Sequence, residues 1–138
     1  MRGIKDFEFL LSAIQSFQPE IIFHMAAQPL VKQSYKDPID TYSTNIMGTV
    51  HLMEAAKQTD SVKVILNVTS DKCYENRELD RGYIESDRLG GFDPYSSSKA
   101  CSELVTSAYR NSFLKKTKIG VATAHYFAKF VDGPHAMQ

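Results

Sequence analysis

Three short runs rich in β-branched and apolar residues, at 20–26, 62–69 and 118–126, alternate with stretches patterned as helices. No other feature constrains the fold as much. Strands separated by helical segments form βαβ units, and such units build a parallel sheet with right-handed crossovers. The first run, Glu20-Ile21-Ile22-Phe23-His24-Met25-Ala26, has no polar alternation and reads as a strand buried on both faces. Ahead of it, Phe7, Leu10, Leu11 and Ile14 form a helical stripe over residues 6–17, which Gln18-Pro19 ends. After the turn through Ala27-Gln28-Pro29, Asp37-Pro38 starts a helix with proline at its first position, predicted to run to about residue 59. A third helix is predicted over 95–113. The polar, glycine-containing stretch 70–94 between strand and helix is long enough to be a functional loop rather than a linker.

With 138 residues, the chain fits one α/β domain that can bury a core. Sixteen basic and sixteen acidic side chains balance, which gives no nucleic-acid or anionic-membrane surface. No apolar run approaches the ~20 residues of a membrane span. Asp6 and Glu8 interrupt what would have to be a secretory leader, so a cytoplasmic protein is expected. Cys73 and Cys101 lack metal-ligand spacing and read as free thiols in a reducing compartment. His24, His51, His125 and His135 are scattered, so no metal is expected.

The chemistry concentrates in two places. Thr69-Ser70-Asp71-Lys72 ends the second strand, and Tyr95-Ser96-Ser97-Ser98-Lys99 opens the third helix. Spacing by four residues puts a phenol and an ammonium on one helix face. A phenol ordinarily titrates near pH 10, and making one a base near pH 7 takes about 4 kcal/mol. One positive charge at ~4 Å supplies about that much at an effective dielectric of ~20. Taken alone, each residue also has a plain structural reading. His24 suits a satisfied core histidine, Asn45 a backbone contact, and Asp71 a turn cap.

In that order along the chain, Phe23-His24-Met25-Ala26-Ala27-Gln28, Thr44-Asn45-Ile46-Met47-Gly48-Thr49, the Ser70 cluster and the Tyr95/Lys99 pair resemble the extended branch of the short-chain dehydrogenase/reductase superfamily. Within it, the Asp-Lys pair of Thr69-Ser70-Asp71-Lys72-Cys73-Tyr74 resembles the CDP-glucose 4,6-dehydratases. The resemblance covers residues 4–124 and implies a Rossmann-like, doubly wound parallel sheet. It also implies NAD as cofactor, held by Ala26, Ala27, Gln28, Asn45, Tyr95 and Lys99, and a nucleotide-sugar substrate, CDP-glucose. Tyr95 would take the 4-hydroxyl proton, Ser70 would orient that hydroxyl and Lys99 would support Tyr95. Asp71 would protonate the departing hydroxide. Lys72 would either remove the C5 proton or stabilise the enolate.

The family's GxxGxxG phosphate loop is not among these residues, and after Val121-Ala122-Thr123-Ala124 the sequence departs from the family pattern in a divergent tail, 125–138. The expectation is a partial domain, truncated at both ends, without the first strands or the substrate domain. Its first strand would be an edge that favours a homodimer or a companion chain, and the chain alone would be inactive. A non-catalytic interaction module and another nucleotide-sugar epimerase or dehydratase are the alternative functions.

Overall fold

A computed structural model describes residues 3–77 and 80–126. In chain order the elements are α1 (Phe7–Phe17), β1 (Ile21–His24), α2 (Val31–Lys36), α3 (Pro38–Tyr42), a π-helical turn (Ser43–Met47) and α4 (Gly48–Lys57). They continue with β2 (Val64–Ser70), a 3-10 turn (Asp71–Cys73), α5 (Pro94–Tyr109), a second π-helical turn (Arg110–Leu114) and β3 (Gly120–Tyr126). The three strands form one parallel sheet in the order β1-β2-β3. Ile21 pairs with Val64, and Val64 with Gly120, so the carboxyl ends of all three strands point the same way.

Local chemistry sets the boundaries. The Asp6 carboxylate accepts from the Phe9 N–H at 3.1 Å and caps α1. At its other end Gln18 takes a left-handed conformation (φ 53°), its N–H on the Ile14 carbonyl, and Pro19 prevents continuation. Asp37 caps α3 by accepting from the Asp40 N–H, with Pro38 in the first turn as expected. The predicted helix to residue 59 is present but interrupted: the π-helical turn joins α3 to α4. The short α2 was not foreseen, because its six residues carry no apolar period.

Ile14, Leu52, Met53, Ala55, Ala56, Val62, Ile65 and Leu114 form the main core, where α1 and α4 pack against β2. Ala55 and Ala56 are fully buried there, and α4 packs against α1 and α5. The expectation that β1 is buried on both faces is not met. His24 is buried and Ile22 half-buried, whereas Ile21 (54% exposed) and Phe23 (63%) face solvent. One side of β1 is covered by helices; among the described residues nothing covers the other, and β1 pairs only with β2. Of the expected divergent tail, His125 and Tyr126 complete β3, and 127–138, with His135, lie outside the described residues. Among those described, no helix is long and apolar enough to cross a membrane.

Candidate active site

Asn45 lies in the π-helical turn, 2% exposed, and holds two distant segments together. Its carbonyl oxygen accepts from the Gln28 N–H at 2.8 Å, and its amide donates to the Gln28 carbonyl at 3.2 Å and to the Ser98 hydroxyl at 2.8 Å. Ser98 in turn donates to the Tyr95 carbonyl at 2.6 Å. One side chain therefore fixes the segment after β1, which contains Ala26, Ala27 and Gln28, against the turn of α5 that carries Tyr95 and Lys99. A π-helical turn is a common device for presenting a side chain that a regular helix would rotate away.

Below this clamp runs a buried polar seam. The Thr49 hydroxyl donates to the Asn45 carbonyl at 2.7 Å, so its oxygen can only accept from its other two neighbours, His24 Nε2 at 3.1 Å and Ser102 Oγ at 2.9 Å. His24 is therefore the Nε2–H tautomer, and Ser102 donates. Asn67 on β2 gives its amide hydrogens to Ser102 Oγ at 3.0 Å and Thr106 Oγ1 at 2.8 Å. Burial, together with the nearby Lys99 charge, holds the His24 pKa down at about 4, so the ring is neutral at pH 7. His24 is thus a satisfied core histidine.

Sequence reasoning missed Thr49, Asn67, Ser102 and Thr106. The signal was available: Asn45 and Thr49 on one helix, and Ser98, Ser102 and Thr106 on the other, are small polar residues at i, i+4 spacing. Two such stripes face each other here in place of apolar ones.

The catalytic candidates stand above the seam, at the strand ends. Ser70 ends β2, buried, and its hydroxyl accepts from the Lys72 N–H at 3.1 Å, capping the 3-10 turn. Asp71 is half-buried and Lys72 exposed. Both line a cleft of about 210 Å³ together with Tyr74, Tyr83, Gly91, Asp93 and Ser96. Tyr95 and Lys99 are buried on α5, which packs against that turn. Neither Tyr95 nor Lys99 lines the cleft itself, and no hydrogen bond joins the Tyr95 phenol to Ser70. Lys99 is 7% exposed, and its ammonium has no hydrogen bond or ion pair among the described residues. Desolvation lowers its pKa, and the Glu103 charge opposes the shift.

Residues 74–77 and 80–92 contribute Tyr74, Asn76, Tyr83, Gly91 and Phe92 to the cleft wall. Tyr74 bridges to Leu89, and the Tyr74 and Tyr83 rings stack at 5.1 Å. Gly91 makes its close approach possible: a Cβ there would sit 2.4 Å from the backbone of Ser96 and Ser97. Gly91→Ala is expected to push the loop off the first turn of α5 and cost about 1–3 kcal/mol. Urea unfolding of the pair of proteins measures this; an unchanged midpoint would show that the loop does not bear on the helix.

His125, expected to stand apart from any ligand group, instead meets Cys73 and Glu103 behind the 3-10 turn. Burial, followed by the Glu103 charge, pushes the Cys73 thiol up to about 12. The grouping was invisible in the sequence, since its members come from a turn, a helix and a strand 52 and 22 residues apart.

Residues 2–131 match the family model described as GDP-mannose 4,6 dehydratase. The chain is 63% identical over 110 residues to a CDP-glucose 4,6-dehydratase of Salmonella typhimurium, an alignment covering 80% of this chain and 31% of that protein. It is 33% identical to a UDP-glucose 4-epimerase of Mycolicibacterium smegmatis, covering 75% of this chain and 33% of the relative. Among solved structures, the fold is similar to a dTDP-glucose 4,6-dehydratase from Streptomyces venezuelae with NAD bound (TM-score 0.74, 27% identity, 88% of this chain and 36% of that one). It is also similar to the Thermus thermophilus UDP-glucose 4-epimerase in complex with NAD (TM-score 0.77, 28% identity, 91% and 39%). The chain spans about a third of the length of the curated relatives it matches.

Proposed function

Because this chain belongs to the GDP-mannose 4,6 dehydratase family, we propose that it carries the dehydration site of an NAD-dependent nucleotide-sugar 4,6-dehydratase acting on CDP-glucose. The observation that carries the reading is the Asn45 clamp. It holds the β1 exit and the Tyr95/Lys99 turn as one rigid piece beside the cleft lined by Asp71 and Lys72. The Asp-Lys pair after Ser70 and the 63% identity to a CDP-glucose enzyme support the choice of substrate.

The residues present fit the nicotinamide end of NAD. A largely buried lysine whose ammonium keeps some exposure and has no hydrogen bond among the described residues suits the paired hydroxyls of a ribose, which supports Lys99 in that role. Ala26, Ala27 and Gln28, held by Asn45, would offer small side chains and fixed backbone at the strand end, where ligands of open α/β sheets bind. NAD, when bound, would supply reversible hydride acceptance and donation. In this reading Tyr95 removes the 4-hydroxyl proton, and Ser70 holds that hydroxyl in line by hydrogen bonding. The ketone so formed acidifies C5. The C5 proton passes to Lys72, and Asp71 protonates the C6 hydroxide as it leaves as water.

The chain contains no glycine-rich phosphate loop, so weak binding is expected when NAD⁺ is titrated into it by calorimetry, and submicromolar affinity would show that such a loop is not needed. Incubation with NAD⁺ and CDP-glucose, followed by the keto-sugar chromophore in alkali, reads turnover. Any turnover is expected to fall 10²–10⁴-fold in Tyr95→Phe, roughly the share of an acid–base group. Turnover unaffected by that change would overturn the assignment. The same cleft is read without turnover by amide shifts: CDP-glucose is expected to move Asp71, Lys72 and Ser96, and a spectrum unchanged there counts equally against it.

A second reading rests on the bare face of β1. Ile21, Phe23 and Met25 are exposed along an unpaired edge, which suits association with a second copy or a companion chain.

A further inference from the structure

Behind the 3-10 turn that carries Asp71 and Lys72, three side chains from three elements converge. One ligand atom each of Cys73, Glu103 and His125 lies within 4.8 Å of the other two. Sγ is 3.8 Å from Nε2, and Nε2 is 3.2 Å from Oε1. Sulfur and carboxylate oxygen both approach the same ring nitrogen, which carries at most one proton between them.

A cation at the common point satisfies all three lone pairs at once. A tetrahedral ion with bonds of about 2.0–2.1 Å to nitrogen or oxygen and about 2.3 Å to sulfur keeps its ligand atoms roughly 3.3–3.6 Å apart. The observed 3.2 and 3.8 Å bracket those edges. Groups that would steady the ligands are already present. Thr69 Oγ1 donates to the same Glu103 oxygen. The other histidine nitrogen, Nδ1, lies 3.3 Å from the Tyr74 hydroxyl, which can accept its hydrogen. Ligating carboxylates and histidines are characteristically held by such partners.

We propose that Cys73, Glu103 and His125 bind one divalent metal ion of the zinc class, with Thr69 and Tyr74 as positioning residues. A thiolate and a carboxylate neutralise its double charge. The sulfur selects against magnesium and calcium, and three protein ligands leave a fourth position for water. The ion would tie the end of β3 to α5 and to the turn bearing Asp71, so its occupancy would stiffen the wall of the cleft.

The test uses the whole chain and no sugar substrate, so it stands apart from the dehydratase reading. Metal-free protein is titrated with Co²⁺, then displaced with Zn²⁺. The expected result is one equivalent bound with a thiolate-to-cobalt charge-transfer band, lost in Cys73→Ser and kept in Cys101→Ser. Thr69→Val and Tyr74→Phe are each expected to weaken Zn²⁺ binding about 10–100-fold while leaving the band in place at saturation. If Cys73→Ser does not fold, X-ray absorption on the zinc-loaded unmutated chain decides: one sulfur at about 2.3 Å, with nitrogen and oxygen at about 2.0–2.1 Å, is expected. A shell without sulfur, the absence of the band, or a band that survives Cys73→Ser overturns the proposal.

Discussion

Lowering the pH from 7 to 4 is expected to remove about 3 kcal/mol of stability through His24 alone. The folded-state pKa is held down at about 4, first by burial and then by Lys99, against 6.5 for the free side chain. Above pH 6.5 the ring is neutral folded and unfolded, and no penalty exists. Between 6.5 and 4 the unfolded chain takes up a proton that the folded chain excludes, so stability falls as the pH falls. Below 4 both states are protonated and the loss levels off. The gap between 6.5 and about 4, at about 1.4 kcal/mol per pH unit, is worth about 3.5 kcal/mol in full, of which about 3 is lost by pH 4 because the folded ring is half protonated there. Against a total of about 5–15 kcal/mol for an ordinary domain, this is a large fraction. Urea unfolding from pH 7 to 4 measures it. His24→Gln, which keeps a donor for Thr49, is expected to flatten the curve over that window; parallel curves for the two proteins would show that His24 does not govern the acid sensitivity.

Asn45→Ala is expected to cost about 1–3 kcal/mol, because it strips the half-buried Gln28 N–H of its acceptor and leaves the buried Ser98 short of a donor. The effect on function would exceed the effect on folding. Without the clamp, residues 26–28 are free to move relative to Tyr95 and Lys99, and a misplacement of about 1 Å can cost on the order of 10²-fold in rate. Denaturant unfolding gives the first quantity. Amide exchange at Gln28 gives the second: a marked rise there, with Met53 still protected, is the expected pattern. Uniform loss of protection would instead mean that Asn45 supports the whole fold rather than this junction.

Much of the architecture was legible because its signals are local. Continuous β-branched runs marked all three strands, and Asp6, Gln18-Pro19 and Asp37-Pro38 marked helix ends that the structure confirms. The family was legible from four motifs in order, and the match over residues 2–131 bears it out. What escaped was non-local. An apolar run is compatible with cover on one face or on two, so Ile21 and Phe23 were assigned to an interior that the described residues do not provide. The polar seam escaped because a serine or threonine on a helix normally signals solvent, and only the facing stripe on the other helix makes it an interior residue. The convergence of Cys73, Glu103 and His125 depends on the sheet register that sets β3 beside β2, which no spacing along the chain encodes.

The widened turn at Ser43–Met47 has a consequence for how this sequence can change. In a regular helix, residues four apart drift about 40° per step around the axis. Thr41, Asn45, Thr49 and Met53 are nonetheless all buried on the side facing the sheet and α5. The turn absorbs the surplus residue and keeps the two halves of the helix in phase. Deleting the surplus position would let the coil close into a regular α-helix, with Thr49 and Met53 kept in the interior and only the local presentation of Asn45 lost. The extra residue is thus a local insertion that sets where the Asn45 side chain points, while the helix on either side stays in step.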